Sequence, residues 1–280
     1  MTPLTGAVFE LLVAPLSVCL ALRHAARGLG PHRAAVEFLA LMAYGYALER
    51  VSIAVFASHD YGQAWQLAPG GVPLAVAACW AAIILSALTL AHRLGARSPG
   101  ALAATAALLG VALDMLMEPV AVRSGLWRWT PPGPWLGVPI GNFVGWGVIV
   151  GLYVLGAEQA RGFASAATLA VRRLLLGAVA ILTLVLVGLV WTRLGAERLF
   201  AGAAGAFVPA GVLLSLLVVP RAPAVSAGAG PAALLGAAGR PWALAPILIA
   251  FATKAALLGE PALWLLAVAA AGVLARLLAK

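Results

Sequence analysis

Asp114 and Glu118 stand four residues apart in the run GVALDMLMEPVAV, whose other residues are almost all apolar. On a helix that spacing turns both carboxylates to one face, about one turn apart. A charged side chain at membrane depth costs roughly 2.5 to 3.5 kcal/mol on insertion scales, so two on one face point to a functional site. Two carboxyls in apolar surroundings form an acid and base pair, because desolvation and mutual repulsion favour a state in which one keeps its proton while the other ionises.

The residues around that pair extend the chemistry. Arg123 and Arg128 can hold an ionised carboxylate, and Trp127, Trp129, Trp135 and Trp146 offer π faces to a developing cation. Asn142 lies one turn before Trp146 and can orient a water. Glu49 and Tyr61, with Trp80 further on, can complete an opposite wall. A plainer reading competes at each position. A Glu and Arg pair can be a buried ion pair, and tryptophans form interfacial belts, which is the expectation for Trp135. Glu10, Glu37 and Glu158, near helix ends, are expected to be solvated or paired with lipid headgroups.

Such residues need a scaffold, and the composition says which. Of 280 residues 64% are hydrophobic and 10% charged, with a mean hydropathy of +1.04. A soluble domain is about 45 to 50% apolar and about 25% charged, so this is a membrane protein. The expected fold class is all-α: a polytopic integral membrane helical bundle forming a single membrane domain over residues 1–280. A span needs around 20 apolar residues. Eight or nine helices meet that measure, at about 5–22, 34–56, 72–94, 100–122, 138–158, 174–191, 199–219, 242–258 and 261–278. The first ends in a basic turn over 23–33. It has no basic region before it and no small-residue cleavage site, so it reads as a retained span. Residues 221–241, rich in Ala, Gly, Pro and Ser, read as a flexible linker.

The net charge of +9 does not indicate nucleic acid, because the 18 Lys and Arg are scattered at the ends of apolar runs. That placement orients helices in a bilayer and meets anionic headgroups. Arg23, Arg27, Arg33, Arg93, Arg97, Arg161, Arg172, Arg173, Arg221 and Arg240 fall on one side, whereas Arg123, Arg128, Arg193 and Arg198 fall on the other. The positive-inside rule then puts the N-terminus and both aromatic loops on the non-cytoplasmic side.

Gly71-Val72-Pro73-Leu74 with Trp80 matches Gly137-Val138-Pro139-Ile140 with Trp146 at the same spacing. Residues 34–160 therefore read as a catalytic core of two units facing one another, each an acid-bearing helix, an aromatic loop and a GVP helix. No nucleophile elbow, Walker loop, dinucleotide fingerprint or HExxH occurs. Cys19 and Cys79 read as small buried hydrophobes. His59 beside Asp60, with His24, His32 and His92 at helix ends, does not amount to a metal site, and no metal is expected.

The run Asp114-Met-Leu-Met-Glu118-Pro119-Val-Ala-Val-Arg123-Ser-Gly125-Leu-Trp127-Arg-Trp129, followed by Gly137-Val-Pro139-Ile-Gly-Asn142-Phe-Val-Gly145-Trp146, resembles the membrane carotenoid biosynthesis family. That family includes the carotenoid 1',2'-hydratases and bisanhydrobacterioruberin hydratase. The likeness is looser from Tyr44 through Trp80 and rests mainly on hydropathy after Arg161. A Leu-Asp-Pro-like arrangement often stands in the family where this chain has Met117-Glu118-Pro119, so Glu118 keeps the carboxylate and reaches one methylene further. The resemblance implies a cofactor-independent hydro-lyase in a prokaryotic cell membrane, acting on a carotenoid or other polyisoprenoid, with other carotenoid biosynthesis enzymes as candidate partners. The resemblance assigns no catalytic set; the chemistry of the residues makes Asp114, Glu118, Asn142 and Glu49 catalytic, with Trp127, Trp129, Trp146, Arg123, Tyr61 and Trp80 binding substrate. Two other classes stay open: a non-enzymatic carrier of polyisoprenoid or pigment, and a proton-coupled transporter.

Overall fold

The structure, a computed structural model, describes residues 3–62, 65–159, 165–202, 235, 236, 238 and 241–278. Nearly all of the expected 221–241 linker, and residues 203–219 of the expected seventh span, lie outside the described residues.

The chain is a polytopic bundle of helices. Helix α1 (Pro3–Val8) passes through a π turn (Phe9–Val13) into α2 (Ala14–Leu29). The helix continues through the first part of the expected 23–33 turn, as far as Leu29, and carries Gly28 within it. Gly30 breaks it, at φ 82°, a value that costs glycine little, and Pro31 opens α3 (Pro31–Phe56) at a position that needs no N–H. Helices α4 (Leu74–Arg93), α5 (Pro99–Arg123), α6 (Ile140–Gln159) and α7 (Ala166–Arg193) follow. A short α8 (Ala196–Phe200) comes next, then α9 (Leu244–Leu258) and α10 (Pro261–Leu278).

Among the described residues six helices are long and apolar enough to cross a membrane, and they are those beginning the chain and α3 to α7. The last two expected spans appear as α9 and α10, which turn about Gly259 and pack on α5. At 1.5 Å per residue α9 is about 22 Å long, less than the roughly 30 Å of hydrocarbon.

Burial separates an inner helix from an outer one. The most apolar stretch of α4 is 89% buried within the protein, whereas that of α7 is 11% buried. α4 is therefore the axis, and α7 lies against α3 and α6 with most of its side chains turned to lipid. Cys79 on α4 is buried as expected. Cys19 is exposed, and on a spanning helix that direction is lipid, where a thiol passes as a small apolar group.

Three carboxylates expected at solvated ends are buried instead. Glu10 accepts the backbone N–H groups of Gln66 and Leu67 at 2.8 and 2.7 Å and so pins the first aromatic loop to the π turn. Glu37 on α3 takes both Nε and Nη2 of Arg173 on α7 at 2.7 Å each. Glu158 lies in the field of the same guanidinium. Each carboxylate left water because the fold supplies it with donors or a counter-charge.

Candidate active site

The two aromatic loops meet. His59–Asp60 and Arg128–Trp129 pair as an antiparallel ribbon in the register His59 to Trp129 and Asp60 to Arg128. Thr130 N–H donates to Ser58 O at 2.8 Å, and Arg128 Nε reaches Asp60 Oδ2 at 2.6 Å. Both loops, and the N-terminal helix that Glu10 ties to them, therefore sit at one end of the bundle.

Beneath the ribbon α5 presents Asp114 and Glu118. Glu118 is buried, and its Oε1 accepts the indole N–H of Trp127 at 2.8 Å and of Trp129 at 2.7 Å. Asp114 has 0% exposure; its Oδ2 accepts Asn142 Nδ2 from α6 at 2.6 Å, while its Oδ1 has no hydrogen-bond donor. Glu118 stands one turn further along the same face of α5.

Across the site α3 presents Glu49. Its Oε1 accepts Trp80 Nε1 at 2.8 Å and its Oε2 lies 3.1 Å from His59 Nε2. Trp80 of α4 stacks on Trp146 of α6 with centroids 4.0 Å apart. The matched GVP spacing explains that meeting: Pro73 caps α4 and Pro139 immediately precedes α6, so both rings fall six residues into their helices. The His59 ring lies 4.8 Å from Trp129 and 5.6 Å from Tyr61, and Tyr61 lies 5.7 Å from Trp127. The two acids and their indoles thus share one aromatic enclosure.

These groups line a cleft of about 1340 Å³. Typical small-molecule pockets hold about 300 to 1,000 Å³, so this one suits a larger ligand. Glu49, Glu118, Asn142, Tyr61, Trp80, Trp127, Trp129 and Trp146 all line it. Asp114 is behind them, held by Asn142, and does not line the cleft. Arg123 is elsewhere: its Nε pairs with Glu260 Oε1 at 3.3 Å, both partly exposed. Arg128 holds Asp60 at the surface and no carboxylate of the cleft. Trp135 does more than sit in a belt. Pro119 has no N–H to give Met115 O, four residues back, and Trp135 Nε1 approaches that carbonyl at 3.4 Å.

Sequence reasoning passed over His59, reading it only as a poor metal ligand, and over Glu197. His59 was open to detection as a titratable group between Glu49 and Tyr61 in an aromatic loop. Glu197 on α8 accepts the N–H groups of Ile140 and Gly141 at 2.7 and 3.0 Å and so holds the N-terminus of α6.

Burial opposes charge on His59, but the bond to Glu49 and the charges of Glu49, Glu118 and Asp60 outweigh it and raise its pKa above the usual 6.5. Burial likewise pushes the Tyr61 phenol well above its ordinary range, with Glu49 and Glu118 adding to it. A group that binds its proton more tightly when folded contributes stability that is full below the unfolded pKa and fades as pH rises through the folded one. Thermal unfolding of the detergent-solubilised protein should therefore move to lower temperature as pH rises above about 6.5, the ordinary histidine value, and His59→Gln should flatten that part of the profile. An equal slope in both proteins would assign it to another group.

No curated protein and no solved structure matches the chain. A family model described as carotenoid biosynthesis protein matches residues 6–220, more than half of the chain, and the protein belongs to that family.

Proposed function

We propose that the protein adds water to the terminal 1,2 double bond of an acyclic carotenoid end group. The observation that carries this reading is Glu118, whose Oε1 receives two indole N–H groups at the wall of a large cleft. Oε2 is left to carry a proton. Glu118 lines the cleft and Asp114 does not, so Glu118 is the donor and Asp114 the carboxyl that shares its proton.

The end group is a trisubstituted alkene. Its π electrons take the Glu118 proton onto C2, forming a C–H bond and leaving a tertiary cation at C1. The faces of Trp127, Trp129, Trp80 and Trp146 stabilise that charge. Water adds to C1, and the proton it loses returns to the Asp114 and Glu118 pair. Asn142, lining the cleft while holding Asp114, orients the water, and Glu49 with His59 forms the facing wall. The sum is alkene plus water giving a tertiary alcohol, so the balance calls for no electron carrier. Residues 34–160 act as the catalytic core in two facing units, in a prokaryotic cell membrane with the ribbon end non-cytoplasmic.

Expression in a bacterial host that makes an acyclic carotene tests the reading. The pigment should gain the mass of one water for each end group that reacts. Unchanged pigment mass with altered distribution would overturn it in favour of a carrier.

A further inference from the structure

The cleft is not sealed from the bilayer. α3 contributes Ser52, Val55 and Phe56 to its lining, and α7 contributes Leu184, Gly188 and Leu189. Ser52, Val55 and Phe56 are three and four residues apart and share one stripe of α3, and Leu184 and Gly188, four apart, share one of α7 with Leu189 at its flank. Val55 is 47% exposed and Leu189 46% exposed, and both belong to spanning segments. The same seam therefore faces the cleft on one side and lipid on the other. At that seam Phe56 lies over Gly188, where an added Cβ would stand 2.5 Å from the Phe56 Cζ and 2.9 Å from its Cε1. The ring occupies that place because residue 188 has no side chain.

We propose that the α3–α7 seam is a lateral doorway through which an apolar polyene enters from the bilayer, its unreacted length lying along the seam, with Phe56 over Gly188 setting the width. The substrate class rests on the hydration reading; the doorway is tested apart from it. An apolar chain dissolved in lipid would reach the acids through the watery loop end only by hydrating its surface, at about 25 cal/mol for each Å² exposed. A sideways path costs none of that. The contents of the seam agree: aliphatic and aromatic side chains at the lipid side, carboxyls at the inner end, which matches a long apolar chain with one reacting terminus.

Wild-type protein, Gly188→Leu, and Gly188→Leu with Phe56→Ala are reconstituted in phosphatidylcholine vesicles holding an acyclic polyene hydrocarbon. Polyene retained per protein and water added to it are both measured. A short water-soluble alkene with the same trisubstituted terminus serves as a second probe. Overfilling a packed seam should cut polyene retention about tenfold in Gly188→Leu, and removal of the Phe56 ring should restore it. Hydration of the short probe, which needs the acids but not the seam, should fall far less in Gly188→Leu than polyene retention does. Wild-type retention in Gly188→Leu, no recovery in the double variant, no polyene on the wild type, or equal loss of the short probe would each overturn the doorway. Wild-type protein that retains polyene and hydrates neither probe would overturn the chemistry, leaving the doorway to stand on the retention series.

Discussion

Glu118→Gln is expected to lower water addition by about 10²- to 10⁴-fold, the usual contribution of a positioned general acid. The substitution is chosen for what it keeps. A glutamine carbonyl can still accept the Trp127 and Trp129 N–H groups that now converge on Oε1, so the indole cage survives while the proton on the other atom is lost. Glu118→Ala removes both, and two buried indole donors left unpaired cost about 1 to 3 kcal/mol each. The alanine variant should therefore lose activity to the same extent and unfold at lower temperature, whereas the glutamine variant unfolds near wild type. Asp114→Asn should fall less far, because Asp114 acts through Glu118. Pigment extracts quantified by chromatography with mass detection give the rates. Full hydration by Glu118→Gln would remove this carboxyl from the chemistry.

The parts legible in the sequence were those that depend on position along one helix. Asp114 and Glu118 are four residues apart, which on a helix is about 40° of rotation, so their shared face followed from spacing alone. The same arithmetic explains Arg123. Five residues beyond Glu118 it lies about 140° round the helix, pointing away from the acids, and its partner Glu260 immediately precedes α10, which no local pattern could bring near. The apolar runs gave most of the described spans to within a few residues, but the first helix carried its arginines on to Leu29 and α7 began at Ala166, eight residues before the expected 174, because basic residues near a helix end do not break it. The ribbon that joins the loops was hidden: two residues on each strand are too short for any periodicity. With it went His59, whose place beside Glu49 depends on Trp129 arriving from the other loop. Glu10, Glu37 and Glu158 were read as solvated because nothing local reveals a donor 56 or 136 residues away.

Arg173→Gln should destabilise the protein by about 3 to 5 kcal/mol, the cost of leaving one member of a buried ion pair without its partner. The size follows from how α7 is held. Only 11% of its apolar stretch is buried, and between helices in lipid there is little hydrophobic drive to associate. Attachment then falls to close packing, at Gly177 against Tyr44 and Gly188 against Phe56, and to the two 2.7 Å bonds between Arg173 and Glu37. Arg173→Lys keeps the charge but cannot reproduce the fork, so it should recover only part of the loss. Glu37→Gln with Arg173→Gln should be more stable than either single variant, since no lone charge is left on that pair. Thermal midpoints of detergent-solubilised protein, read as a double-mutant cycle, give the coupling. A midpoint for Arg173→Gln equal to wild type would show that packing alone holds α7. A large loss instead shows that the ion pair near the start of α7 holds it to α3 in addition to the packing at Gly177 and Gly188.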